Sequence, residues 1–210
     1  MALTAAVVLA DYAAAPGESE AATAAPATPT TSATAPAGDP SNATGQAGAA
    51  TPVAPAVDGV FAGRSSGNEM TVAVATRGGR VAAYLCDGES VEAWLEGSLS
   101  GRELRLQSRK GAVLTARLTD AAAFGSITVA GRTLPFSAEL ADAPAGLYEA
   151  RQGSTRTGWI VLEDGSQVGL SQTDGVSTPA PRLDPADRTA TGPDGPITAV
   201  AITGDQQGTS

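Results

Sequence analysis

The stretch Glu69 to Gly88, EMTVAVATRGGRVAAYLCDG, decides how this chain folds. Val72 and Val74 alternate with Thr71 and Ala73, the period-two pattern of a half-buried strand. Gly78-Gly79 suits a two-residue hairpin turn, whose backbone needs positive φ. Arg80 to Cys86 (RVAAYLC) then reads as the return strand, closed by Asp87-Gly88. The same grammar continues outward. Ser90 to Glu96 sets Val91, Ala93 and Leu95 on one face and Glu92, Trp94 and Glu96 on the other. Arg102 to Ser108 sets Leu104 and Leu106 against charged neighbours, and Gly111 to Thr119 aligns Ala112, Leu114, Ala116 and Leu118. Phe124 to Ala130 and Arg132 to Leu140 form a further hairpin about Gly131, with Leu134, Phe136, Ala138 and Leu140 inward. No window sustains a 3.6-residue period. The predicted class is all-β, an antiparallel up-and-down meander of about eight strands forming a small barrel or sandwich.

After Ala141 to Ala145 the pattern restarts. A shift of 87 positions without gaps superposes Gly59 on Gly146, Arg64 on Arg151, Val74 on Val161, Gly78 on Gly165 and Asp87-Gly88 on Asp174-Gly175. Seven identities over thirty positions exceed what composition gives, although most are turn glycines and strand valines. Residues 146–170 are therefore predicted as strands, and the β domain as 57–172. Residues 173–210, rich in Pro, Asp and Thr, are predicted as a mostly disordered tail with one possible strand at 197–203.

The formal charge of −9 over 210 residues is unevenly placed. Residues 57–172 carry 13 acidic and 11 basic side chains and are nearly neutral. A nucleic-acid binder needs a concentrated basic face, and the longest basic run here is Arg109-Lys110. Histidine is absent and cysteine occurs once, which removes imidazole bases, intramolecular disulfides and thiolate-cage zinc sites. No cofactor or metal site is expected.

Residues 1–12 read as an export leader: MALTAAVVLA is apolar, uncharged and too short to span ~30 Å of hydrocarbon. Leu9-Ala10-Asp11-Tyr12 resembles a degenerate bacterial lipobox, with Tyr12 where the acylated cysteine belongs, so a lipid anchor is not expected. In residues 13–56, 38 of 44 side chains are Ala, Pro, Thr, Ser or Gly, a composition that cannot offset its own ordering entropy. It is predicted as a disordered stalk reaching roughly 3 Å per residue.

The runs VFAGRSSGNEMTVAVAT, VAAYLCDGESVEAWLEG, APAGLYEAR and GWIVLEDGSQVG resemble a family of extracytoplasmic actinobacterial proteins, many of them lipoproteins on an Ala/Thr/Pro stalk. The resemblance covers roughly 57–172, with AYLCDG and EAWL its most specific strings. It implies an all-β domain of unassigned function in the envelope and no enzyme activity.

Three residues stand out as candidate ligand contacts. Trp94 is predicted to point away from the core between Glu92 and Glu96, a sugar or cation platform if it is open. Arg64 and Asn68 belong to the polar RSSGNE turn, which reads as an anion site or as an ordinary hairpin loop. Cys86 has no base to activate it and reads as a small buried hydrophobe, and Trp159 reads as core. Carboxylates and Tyr84 alone remain for acid–base work, and no carboxylate pair has glycosidase spacing. The expectation is a non-catalytic, exported envelope module that binds an envelope protein or cell-wall component, with no transmembrane span and no nucleic acid. The alternative is a β-barrel carrier of a small apolar ligand such as a lipid, motivated by many Ala and few aromatic residues at inward positions.

Overall fold

A computed structural model describes residues 56–204, all within the compact unit Ala49–Ser210. The predicted leader, nearly all of the stalk and residues 205–210 lie outside the described residues. The class is as predicted: the described chain is all-β and antiparallel, and no helix is long and apolar enough to cross a membrane.

Eight strands close into a barrel: β1 (Gly59–Ser65), β2 (Thr71–Arg77), β3 (Arg80–Cys86), β4 (Glu92–Ser100), β5 (Glu103–Gln107), β6 (Val113–Leu118), β7 (Ala122–Val129) and β8 (Arg132–Leu140). They stand in chain order, and β8 returns to pair with β1. Period-two alternation sends Val72, Val74, Leu85, Leu95, Leu106 and Leu114 inward. With Phe61, Phe136 and Ile127 they form one buried cluster filling the barrel, as eight strands allow. The closing seam depends on Gly63: a Cβ there would stand 2.1 Å from the Ser137 carbonyl oxygen and 2.6 Å from the Ala138 Cα. No side chain fits between backbones that close.

The barrel takes up residues 59–140 alone, and the chain from residue 146 onward builds a separate layer. Strands β9 (Gly146–Gln152), β10 (Thr155–Val161), β11 (Gln167–Thr173), β12 (Val176–Pro179) and the last short strand form a five-stranded sheet. Its barrel-facing side chains, Leu147, Ile160, Leu162 and Leu170, pack on the outward residues Ala62, Ala73, Ala75, Ala82, Tyr84 and Cys86 of β1–β3. This corrects the half-buried reading of Glu69 to Thr76, and the return strand beside it is covered in the same way. Six of the seven residues of β2, and six of the seven of β3, are buried, because both faces of these strands are covered. Alanines on the outer face let the second sheet approach closely.

The predicted disordered tail is also corrected. Residues 176–201 run through β12, β13 (Leu183–Asp184), β14 (Thr189–Gly192), β15 (Gly195–Thr198) and β16 (Val200–Ala201). Strands β13–β15 form a three-stranded sheet that buries Leu183, Ala190 and Ile197 against Tyr148, Trp159 and Val161 on the far face of the second sheet. The predicted strand at 197–203 is split at Ala199 between this sheet and β16, which pairs with β9. Side chains tie the layers together. Gln167 Nε2 donates to the Leu183 carbonyl oxygen at 2.9 Å while Leu183 N–H donates back at 2.8 Å, and Trp159 Nε1 donates to the Pro181 carbonyl oxygen at 2.8 Å.

The restart at 146 is a second meander, of the four consecutive strands β9–β12, but the 87-residue shift is not kept. Gly59 pairs with Thr76 across β1–β2, whereas Gly146 pairs with Val161 across β9–β10, so the equivalent shift on the second strand is 85. The β9–β10 connection is a short turn at Gly153-Ser154, where the β1–β2 loop spans Ser66 to Met70.

Candidate functional site: a cleft between barrel and sheet

Strand periodicity builds the cleft from both sides. On the barrel, Glu92, Trp94 and Glu96 share the outward face of β4. On the second sheet, the barrel-facing rows are Leu147–Ile160–Val168, then Glu149–Gly158–Leu170, then Arg151–Arg156–Gln172. The interface is thus apolar at one end and cationic at the other. At the cationic end a cleft of about 290 Å³ opens, walled by Arg151, Arg156 and Gln172 on one side and Glu92, Trp94 and Glu96 on the other. The β5–β6 turn contributes Ser108, Arg109 and Lys110. A second hollow of about 410 Å³ at the barrel end shares Glu92, Ala93, Ser108, Lys110 and Gln172 with it, so Glu92 stands at the junction.

Trp94 points outward as alternation requires, yet it is not an open platform. The Tyr84 ring lies 4.3 Å from it, centroid to centroid, and the Arg156 guanidinium carbon sits 3.8 Å over its centroid. Two groups that close cannot share one face, so both faces of the indole are taken and its edge is what the cleft meets. The cation on the ring is the chain's own. Gly158 makes this stack possible, because a Cβ there would stand 2.7 Å from Trp94 Cζ2 and 2.8 Å from Tyr84 Cζ.

Arg156 is held in place by Glu149: Nε donates to Oε1 at 2.9 Å and Nη2 to Oε2 at 3.2 Å, a fork on a carboxylate. Arg151 Nε donates to the same Oε1 at 2.8 Å. Below, the Tyr84 hydroxyl donates to Glu92 Oε2 at 2.7 Å, and the Ser177 hydroxyl donates to Oε1 at 3.3 Å. Burial pushes the Glu92 carboxyl above its usual range, outweighing these two hydrogen bonds and the opposing pull of Arg156 and Lys110. Burial likewise raises the Tyr84 phenol, with Cys86 and Glu92 adding to it, and lifts the Cys86 thiol to about 12. At neutral pH Tyr84 is a donor held by Glu92, and Cys86 is an inert thiol.

Arg64 and Asn68 are not part of this cleft. The register Ala62–Ala73–Tyr84–Trp94 places β1 three strand spacings, ~14 Å, from Trp94. Arg64 lies two residues beyond Ala62, and its Nη2 donates to the Ser166 hydroxyl in the β10–β11 turn at 3.3 Å. Asn68 occupies the β1–β2 loop with φ of 58°, its N–H donating to the Ser65 carbonyl oxygen at 3.0 Å. The residues that sequence reasoning missed are Arg151, Arg156, Glu149 and Gln172. Their alternation along β9–β11 was legible, but the surface they face is set by docking of one layer on another.

None of the known protein families, curated proteins or solved structures compared with the chain matches it.

Proposed function

We propose that this chain is a non-catalytic binding module of the cell envelope, exported and carried on its Ala/Pro/Thr stalk, which takes its ligand in the cleft between barrel and second sheet. The observation carrying this reading is the convergence of Arg151, Arg156 and Gln172 with Glu92, Trp94 and the 108–110 turn around one cavity of about 290 Å³. A few fixed polar groups around a concave wall is the usual build of a ligand site. The apolar MALTAAVVLA leader, the stalk composition and the resemblance to extracytoplasmic proteins support the envelope location. Glu92 and Glu96 stand four residues apart on one strand, Cα atoms ~13 Å apart, which does not favour a glycosidase pair.

The carrier reading finds the barrel it needs, but the barrel interior is filled by its own side chains, and the cleft is lined from outside it. Native mass spectrometry of the full chain purified from the envelope of its own host tests the proposal. A retained small molecule that is lost when Gln172→Trp fills the cleft supports it. A chain recovered empty, or a ligand indifferent to that substitution, contradicts it, and recovery from the cytosol contradicts the location.

A further inference from the structure

Resting on the cleft reading, we infer that the ligand presents an oxyanion, a phosphate or carboxylate group, to the row formed by Arg151, Arg156, Arg109 and Lys110. Four cations line the cavity against the carboxylates Glu92 and Glu96, and Glu149 behind it is shared by two of the arginines. Glu149 takes Nε of both arginines and Nη2 of Arg156, which leaves both terminal nitrogens of Arg151 and Nη1 of Arg156 without a hydrogen-bond acceptor among the described residues. Arg109 and Lys110 make no ion pair among the described residues. Planar guanidinium forks with free N–H groups match oxyanions in a way an isolated ammonium does not.

Preorganisation points the same way. Arg156 is clamped between the Glu149 carboxylate and the Trp94 ring, so little of its rotamer freedom is left to lose on binding. Of the two half-buried carboxyls near the row, Glu149 is taken up by Arg151 and Arg156, and Glu92 at the junction is engaged by Tyr84 and Ser177 rather than by an arginine fork. The remaining wall, Gln107, Ser108 and Gln172, offers neutral hydrogen-bonding groups suited to hydroxyls beside the anion.

The test is side-chain NMR on the full chain at low salt, following the Trp94 indole N–H and the Arg156 Nε–H. The probes are inorganic phosphate, glucose 1-phosphate and glucose. The inference expects saturable shifts with the two phosphates, none with glucose, and binding weakened at least about tenfold in R109Q/K110Q. Vesicles of phosphatidylglycerol and of phosphatidylcholine separate a lipid headgroup from a soluble solute: tighter binding to the former than to glucose 1-phosphate places the oxyanion on a lipid. Glucose binding as tightly as glucose 1-phosphate overturns the anion assignment and leaves the cleft reading standing. Linear shifts with every probe, or shifts unchanged in R109Q/K110Q, overturn the assignment too, while the host-purified mass measurement decides the cleft reading separately.

Discussion

Gly158→Ala isolates the contact that holds barrel and second sheet together. The backbone of Gly158 lies outside the left-handed region, so alanine is locally tolerated and by itself is worth about 0.5–1 kcal/mol in a strand. The added methyl, however, would stand 2.7 Å from Trp94 Cζ2, 2.8 Å from Tyr84 Cζ and 2.9 Å from Tyr84 Cε1. Neither ring can step aside. Tyr84 is fully buried with its hydroxyl on Glu92, and the other face of Trp94 carries Arg156. Overpacking of this kind costs about 1–3 kcal/mol. Set against the local gain, the net expected change is a loss of up to about 2.5 kcal/mol, or up to roughly 10 °C in Tm for a chain of this size. Urea unfolding followed by tryptophan fluorescence measures it, with the β5–β6 surface substitution Arg105→Gln as a control expected to change little. A variant more stable than the parent by 0.5 kcal/mol or so would show that the methyl meets open space and that the sheet does not sit on Tyr84 and Trp94.

The same geometry sets two more outcomes. Because burial raises the Glu92 carboxyl, the folded state keeps that proton longer than the unfolded chain does. Stability therefore falls as pH rises from the ordinary carboxyl range through the raised folded value, and stays lower above it. Glu92→Gln keeps an acceptor for Tyr84 and removes that loss, so its unfolding midpoint should match or exceed the parent's at neutral pH and converge with it in acid; a deficit largest at neutral pH would contradict the assignment. Gly63→Ala places a methyl 2.1 Å from a backbone oxygen that cannot yield, and should cost about 3 kcal/mol by denaturant unfolding. A near-neutral Gly63→Ala would mean that β1 and β8 do not close the barrel.

The barrel was legible because its signals are local. Each inward series, such as Leu114, Ala116 and Leu118 on β6, repeats every second residue between glycine turns, and that alternation fixes a face without reference to distant chain. The second layer was less legible, although one cue was present. The outward positions of β2 and β3 are Thr71, Ala73, Ala75, Ala82, Tyr84 and Cys86, whereas those of β5 are Glu103, Arg105 and Gln107. A strand apolar on both faces asks for cover on both. The inward alanines that suggest an underfilled interior, such as Ala93, Ala112, Ala116 and Ala138, do face inward, but Phe61, Phe136 and the leucines around them fill the barrel, while Ala62, Ala73, Ala75 and Ala82 form the flat outer bed for the sheet.

The C-terminal strands hid for a different reason. Each contributes a single buried aliphatic, Leu183, Ala190 and Ile197, too sparse to show a period. Trp159 gave the missing hint. It lies on the side of β10 turned away from the barrel, and a buried indole there needs both a cover and an acceptor, which the segment after Pro179 supplies. The cleft was half legible: Trp94 and Glu92 were placed on one outward face by alternation, but Arg156, which occupies the ring, is 62 residues further along the chain and reaches it only through layer packing.

The central claim is that the sheet formed after residue 146 covers the outer face of β1–β3. Cys86 is a built-in probe of it, since it is the chain's one cysteine, points outward from the barrel, and is fully buried beneath that sheet. Thiol labelling of the native full chain, compared with the chain in denaturant, measures the cover directly. The structure requires labelling to be slow and to rise in step with global unfolding as urea is added. Stoichiometric labelling of Cys86 under conditions where tryptophan fluorescence reports a fully folded protein would contradict it.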